Sequence, residues 1–121
     1  MLIASMAAMI GRSYAASTDV CIDDYDDGSE LCLTLDSTSY GYKMEVDDMD
    51  SDLNILSCVV DVPGENFVTM GDCEGAFNAD EDDDFTIYVR VNQDGEEYNS
   101  TLEFDCNNGS CDVDDYSSSS S

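Results

Sequence analysis

Carboxylate side chains recur at alternate positions in two short stretches of this chain, an arrangement suited to binding a hard cation. The six alternate residues are Asp48, Asp50, Asp52, Asp80, Asp82 and Asp84. Calcium is bound by several oxygen atoms that converge from flexible loops, so these residues are the candidate metal ligands. No other cofactor is suggested by the sequence.

The spacing of the first stretch is not specific for calcium. It imitates the opening of a helix-flanked calcium loop, but Leu53 stands where that loop needs glycine and Val59 where it needs a closing glutamate. With 29 Asp and Glu among 121 residues, such clusters also arise by chance. Two interpretations stay open: a specific calcium site, or loops that attract diffuse counterions.

Cysteine supplies the second kind of chemistry. The six cysteines are Cys21, Cys32, Cys58, Cys73, Cys106 and Cys111. Sequence alone does not choose among their possible pairings, but the spacing favours three local disulfides between successive cysteines. Structural zinc is disfavoured because the chain has no histidine and no closely spaced cysteine pair. Disulfides in turn favour an oxidising, extracellular setting.

The residues needed for catalysis are few. Without histidine the chain lacks an ordinary Ser-His or Cys-His nucleophile, and it has no glycine-rich phosphate loop. Glycosidases use two carboxyl groups at a defined separation. Such a pair would occur by chance on so acidic a surface, so it is not evidence for glycosidase activity. Lys43 is predicted to face outward beside Glu45. The sequence therefore predicts a protein that is not an enzyme.

The formal net charge of −26 restricts the partners. Nucleic acids and anionic membranes would be repelled, since both are bound through Lys and Arg. Cations, other extracellular proteins, neutral glycans and further copies of the chain remain as partners. Two glycosylation sequons begin at Asn99 and Asn108. The alternation of Tyr98, Ser100, Leu102 and Phe104 predicts that the side chain of Asn99 faces solvent.

The elements that must position these residues are strands, because the hydrophobic period is two rather than 3.6. Alternating stretches cover 31–35, 40–46, 85–92 and 98–104, and further strands are expected at 53–62 and 66–71. Asp94-Gly95 and Pro63-Gly64 mark chain reversals. About seven strands predict an all-β fold: a small antiparallel β-sandwich, immunoglobulin-like in general shape and stabilised by disulfides.

The two ends of the chain differ from this domain, which is assigned to 18–111. Residues 1–16 are apolar and small, and two interpretations stay open: a secretory signal peptide with a cleavage site at Ser13-Tyr14-Ala15, or an apolar arm used in assembly. The apolar run is too short to span a bilayer of about 30 Å. Residues 112–121 are acidic and serine-rich, which is typical of a solvated tail.

Together these features predict a non-catalytic, secreted structural or interaction module, such as a subunit of an extracellular filament or surface layer. The alternative is an acidic extracellular matrix protein that binds calcium or mineral. A secreted inhibitor or toxin-like binder would also fit the cysteines, but such proteins usually carry a more basic or mixed surface.

Overall fold

The structure, a computed structural model, describes residues 16–120, so both interpretations of the apolar segment concern residues that lie almost entirely outside it. Within the described residues the chain forms nine strands: β1 (Ser17–Ile22), β2 (Leu31–Ser37), β3 (Gly41–Met49), β4 (Leu53–Asp61), β5 (Val68–Met70), β6 (Gly75–Asn78), β7 (Phe85–Gln93), β8 (Glu96–Asn107) and β9 (Ser110–Ser120). One short 3-10 segment, Asp26–Gly28, lies between β1 and β2. No helix in this part of the chain has the length and apolar character needed to cross a membrane.

Two antiparallel sheets form the predicted sandwich. The four-stranded sheet has the order β1-β2-β3-β6, and the five-stranded sheet has the order β5-β4-β7-β8-β9. The central position predicted for the strand at 53–62 is confirmed, because β4 lies between β5 and β7. The likeness to an immunoglobulin domain is one of general shape, since the first sheet here begins with three consecutive strands.

The alternation of the sequence matches the two faces of each strand. On β7, Phe85, Ile87 and Val89 are buried, whereas Tyr88 and Arg90 are exposed. Successive side chains of a strand point to opposite faces, so the apolar set lies on the face that the other sheet covers. The half-buried strand predicted at 85–92 is thereby confirmed.

Four aromatic rings connect the two sheets at the centre of the core. Tyr42 and Phe77 come from the four-stranded sheet, and Phe85 and Phe104 from the five-stranded sheet. The ring of Phe85 lies 5.3 Å from that of Tyr42, 5.1 Å from that of Phe77 and 5.3 Å from that of Phe104. Each such pair contributes about 0.5–1.5 kcal/mol beyond the burial of its surface.

Two tight turns set the register of the five-stranded sheet. Asp94 and Gly95 have φ of 52° and 89°, and Asn108 and Gly109 have φ of 54° and 84°. Positive φ at both central residues is the requirement of a type I′ turn, whose twist matches that of the strands it joins. The reversal predicted at Asp94-Gly95 is confirmed: β7 ends at Gln93 and β8 begins at Glu96.

The three disulfides follow the local scheme that the spacing favoured. Cys21–Cys32 and Cys106–Cys111 join residues that lie directly opposite each other in hairpins, and each pair has its Cα atoms 4.0 Å apart. Cys58–Cys73 joins β4 to the segment between β5 and β6. No cysteine in the described range is free.

The end of the chain differs from the sequence-based expectation. Residues 112–120, predicted as a solvated tail, belong to β9 and pair with β8 as far as Tyr98 opposite Ser120. Their side chains are exposed, as the polar sequence requires. Their backbone nevertheless forms the fifth strand of the sheet, because the Asn108-Gly109 turn and the Cys106–Cys111 disulfide direct it back along β8.

Candidate functional site

The two carboxylate stretches predicted to bind calcium lie at opposite ends of the sandwich. Asp50 and Asp52 follow the last residue of β3, whereas the stretch from Asp80 to Asp84 follows β6, whose Asn78 pairs with the first residue of β3. Strands rise about 3.3 Å per residue, so nine-residue β3 separates the two stretches by roughly 26 Å. The six candidate ligands therefore do not form one site.

In the first stretch, the carboxylates of Asp50 and Asp52 bind other parts of the protein. The backbone N–H of Glu30 donates to Asp50 at 2.7 Å. Asp52 accepts from the hydroxyl of Ser29 at 2.7 and 2.8 Å and from Nε2 of Gln93 at 2.8 Å. The hydrogen bonds from Gln93 and then Ser29 lower the pKa of Asp52. These oxygens hold the β1–β2 connection against the rest of the fold.

In the second stretch, the acidic loop anchors the β8–β9 turn. Oδ1 of Asp82 accepts from the backbone N–H of Asn108 at 2.8 Å, and the carbonyl of Glu81 accepts from the N–H of Gly109 at 2.9 Å. The backbone N–H of Asp80 donates to Asp83 at 2.9 Å. Beside the loop is an open cavity of about 580 Å³.

The residues from 16 to 120 contain one group of three ligand-type side chains with its ligand atoms within 4.8 Å of one another. It consists of Cys21, Glu30 and Cys32. Both sulfur atoms belong to a disulfide, so they are not available as thiolates. None of the six predicted calcium ligands lies in this group, and their role as ligands stays a prediction.

An acidic groove that the sequence did not single out lies on the outer side of the five-stranded sheet. It has a volume of about 210 Å³, and its acidic lining residues are Asp61, Asp84, Glu103, Asp105 and Asp114. The pKa of Asp105 is raised, mainly because its side chain hydrogen-bonds to Asp84 and further because of the charge on Asp84. The negative charge of Asp84 disfavours ionisation of Asp105, and a cation placed here would relieve that repulsion.

A signal for this groove was present in the sequence. The Asp94-Gly95 turn fixes the pairing of β7 with β8, and Phe85 lies opposite Phe104. One further step outward from this pair brings Asp84 to Asp105. Counting outward from a recognised hairpin turn would therefore have identified this pair of carboxylates.

The consecutive strands β3 and β4, which belong to different sheets, each have one edge that is only partly paired. β6 pairs with β3 only from Gly41 to Met44, so 45–49 has no partner strand on that side within the described residues. Likewise β5 pairs with β4 only from Cys58 to Val60, which leaves 53–57 bare. The turn 50–52 connects these two segments, so both bare edges lie at the same end of the sandwich.

A groove of about 390 Å³ lies beside the bare edges. Its lining residues are Val46, Met49, Asn54, Ile55, Asp72 and Glu74. Val46 and Ile55 are partly buried against the core, and Met49 is exposed. The backbone N–H of Val46 donates to the Glu74 side chain at 3.4 Å, so a flexible side chain occupies the place of a neighbouring strand. This apolar edge groove is a suitable place for strand addition.

The predicted glycosylation residues lie outside the core. Asn99 is on the face of β8 opposite to buried Leu102, beside Arg90 of β7, and is half-buried. Asn108 is exposed at the tip of the β8–β9 turn. Glycosylation of either position stays a prediction.

Both basic residues of the described chain form surface ion pairs. Nζ of Lys43 lies 3.2 Å from Glu45, which agrees with the outward placement predicted for it, and Arg90 lies 3.0 Å from Glu97. Contact with Glu97 raises the pKa of Arg90 and lowers the pKa of Glu97. Each positive charge is thus balanced by a carboxylate next to it.

Comparison with protein-family models, curated proteins and solved structures found no match to this chain. Its function must therefore be inferred from its own surfaces. The two that offer a binding geometry are the apolar edge groove at β3 and β4 and the acidic groove around Asp84 and Asp105.

Proposed function

We propose that this chain is a non-catalytic, secreted structural or interaction module that serves as a subunit of an extracellular filament or surface layer. The observation that carries the proposal is the apolar edge groove, which adjoins bare segments of two strands. A strand added there would hydrogen-bond to the unpaired backbone and cover Val46, Met49 and Ile55.

The disulfides and the charge support an extracellular setting. Three crosslinks in one small domain persist where the surroundings are oxidising. The net charge of −26 makes copies repel one another until salt or divalent cations screen them. Assembly would therefore be controlled by the ionic strength of the medium.

The added strand must be free of negative charge to approach such an anionic protein, and apolar where it covers Val46, Met49 and Ile55. Residues 1–10 of a neighbouring copy have this composition, which fits the assembly-arm interpretation of the segment. If the segment is instead a signal peptide that is removed on export, the strand comes from another extracellular protein. Intact mass of the secreted protein distinguishes the two, since only the first retains residues 1–15.

Electron microscopy and sedimentation of the native protein in high salt test the proposal. We expect ordered polymers, or a complex with an extracellular partner, that are lost in Met49→Asp because a charge then replaces an apolar side chain that the added strand would cover. Tyr88→Asp is the matched control: Tyr88 is 41% exposed and Met49 37%, but Tyr88 lies on the outer face of β7. A protein that stays monomeric and unbound, or an assembly that Met49→Asp leaves intact, would contradict the proposal.

A second candidate function, binding of calcium or mineral in an extracellular matrix, is favoured by the acidic groove. The contact between Asp84 and Asp105 concentrates negative charge at one point of the surface. Calorimetric titration with calcium in high sodium chloride should give saturable heat that weakens in Asp105→Asn but not in Asp47→Asn, an exposed aspartate of β3. Absence of saturable heat would leave only diffuse screening.

We also infer that secretion exposes Asn99 or Asn108 to N-glycosylation. Of the two, Asn108 is the more accessible, because it lies at an exposed turn while Asn99 lies within a paired strand. Treatment with an amide-cleaving glycosidase should lower the mass of the secreted protein and convert the modified asparagine to aspartate. An unchanged mass would rule out N-linked glycans.

A further inference from the structure

A buried carboxamide is held at both ends where β7 finishes. Gln93 is 3% exposed. Its Oε1 accepts from the backbone N–H of Asp26 at 2.9 Å, and its Nε2 donates to the carbonyl of Asp26 at 3.0 Å. Nε2 also donates to Oδ2 of Asp52 at 2.8 Å. The orientation of the amide is therefore fixed from three directions.

A hydroxyl group lies against this amide. Ser29 is 5% exposed, and its Oγ is 3.4 Å from Nε2 of Gln93. The same hydroxyl donates to the carboxylate of Asp52 at 2.7 and 2.8 Å. A single carboxylate thus contacts both the proton of the hydroxyl and the nitrogen of the amide.

These four groups have the roles required for acyl transfer. Ser29 would act as the nucleophile once its Oγ moves from Nε2 onto Cδ, and Asp52, which already accepts its hydrogen bond, would act as the base. The N–H of Asp26 contacts the amide oxygen, where negative charge would develop during attack, as an oxyanion-hole donor does. The leaving nitrogen already contacts the carboxylate that would return the proton to it.

We propose that Ser29 and Gln93 react with each other to form an intramolecular ester crosslink and release ammonia. Oγ of Ser29 attacks Cδ of Gln93 while its proton passes to Asp52, and the C=O electron pair moves to Oε1. The intermediate then re-forms the C=O bond and breaks the bond between Cδ and Nε2. Asp52 transfers the proton to the departing nitrogen, which leaves as ammonia.

The reaction balances without any further reagent. One hydroxyl and one primary amide give one ester and one ammonia molecule, and Asp52 ends as the carboxylate it was at the start. Two groups held in a reactive orientation within one molecule can react as if one were present at about 10⁵ M or more. This suits a reaction that needs to occur once per molecule. Ser29 and Gln93 are themselves buried, which limits the access of water to the ester from every side except that of exposed Asp52.

The crosslink would join parts of the fold that the hairpin disulfides leave unconnected. Ser29 lies in the connection from β1 to β2 of the four-stranded sheet, and Gln93 ends β7 of the five-stranded sheet. They are 64 residues apart in the chain. Cys21–Cys32 and Cys106–Cys111, in contrast, each join neighbouring strands of one sheet. The ester proposal does not depend on how the protein assembles.

Peptide mapping of the full-length, reduced and alkylated protein tests the crosslink directly. We expect the peptides that contain Ser29 and Gln93 to be joined, with a combined mass lower by one ammonia molecule, and to separate on treatment with hydroxylamine. Two separate peptides of unmodified mass in the wild-type protein would overturn the proposal, whatever the behaviour of any variant.

Variants assign the roles. Ser29→Ala should abolish the mass loss, and Asp52→Asn should slow its appearance after refolding by at least tenfold. Thr34→Ala is the matched control, because Thr34 also donates its hydroxyl to a carboxylate, that of Asp19 at 2.8 Å, but on the exposed surface. The control should retain the full mass loss. A crosslink that persists in Ser29→Ala would show that another hydroxyl is the nucleophile and would overturn the assignment.

Discussion

The hydroxyl of Thr18 contacts both main-chain polar groups of Cys111, and this pair joins the first strand of one sheet to the last strand of the other. Oγ1 of Thr18 donates to the carbonyl of Cys111 at 3.1 Å and accepts from its N–H at 3.3 Å. Because Cys111 belongs to an edge strand, its outward groups would otherwise lack a neighbouring strand. Thr18 thus closes one side of the sandwich.

Replacing Thr18 with valine should destabilise the fold. The substitution keeps the shape and the strand preference of the side chain but leaves the N–H and C=O of Cys111 without their partner, which costs about 1–3 kcal/mol. Urea unfolding measures the loss. Thr34→Val is the control, since its hydroxyl contact with Asp19 is exposed; an equal loss in both variants would contradict the closing role of Thr18.

The Cys58–Cys73 disulfide should contribute more to stability than Cys106–Cys111. The two close loops with sequence separations of 15 and 5, for which loop-closure entropy gives about 3 and about 2 kcal/mol. Paired alanine substitutions, followed by denaturant unfolding, compare them. Removal of Cys106–Cys111 should leave the sandwich folded. A greater loss of unfolding free energy on removal of Cys106–Cys111 than of Cys58–Cys73 would contradict the entropic argument.

Replacing Asp105 with asparagine should stabilise the protein at neutral pH. The hydrogen bond and charge of Asp84, followed by burial and the charges of Asp114 and Asp112, raise the folded-state pKa of Asp105 above 3.8. A raised carboxyl pKa gives stability that is present below the unfolded pKa and is lost as pH rises through the folded pKa. The gain from Asp105→Asn should therefore shrink as the pH is lowered toward 3.8.

Unfolding of the wild type and Asp105→Asn at neutral and acid pH measures this dependence. Asp47→Asn removes one charge elsewhere on the surface and is the control for the lower net charge alone. If both variants gained equally at neutral pH, the effect would come from the overall charge and not from the contact with Asp84.

Gly41 should not tolerate alanine. A Cβ atom at this position would lie 1.9 Å from the carbonyl oxygen of Phe77, because β3 and β6 approach closely there. Backbone atoms cannot move aside cheaply, so we expect a loss of about 3 kcal/mol or more. Gly71→Ala is the control, with no atom within 4 Å of its added Cβ. Thermal unfolding measures both variants, and an equal loss in the two would contradict the close approach of β3 and β6.

The strands that carry alternating apolar residues could be predicted from the sequence, as β7 shows, and so could the disulfides between successive cysteines. β9 could not, because Tyr116 is followed by serines without any apolar alternation. Its pairing comes from the Asn108-Gly109 turn and the register of β8. Local sequence pattern therefore predicts the central strands, whereas the edge strand β9 depends on tertiary context.

The sites were less predictable than the fold. Gln93 lies in a polar run just before the Asp94-Gly95 turn, but the hairpin register places its side chain on the buried face, in contact with Ser29 and Asp52. Asp105 differs from the other acidic residues through its contact with Asp84, which raises its pKa. The contacts of Gln93 join residues of different sheets, which local spacing does not reveal, whereas the pairing of Asp84 with Asp105 follows from the register of the Asp94-Gly95 hairpin.

The order of the disulfides along the chain has a consequence for biogenesis. The six cysteines pair in order, first with second, third with fourth and fifth with sixth, so each bond can form as soon as its second cysteine has been synthesised. Under the extracellular role proposed above, oxidation can therefore proceed stepwise during export, with little need for a disulfide isomerase.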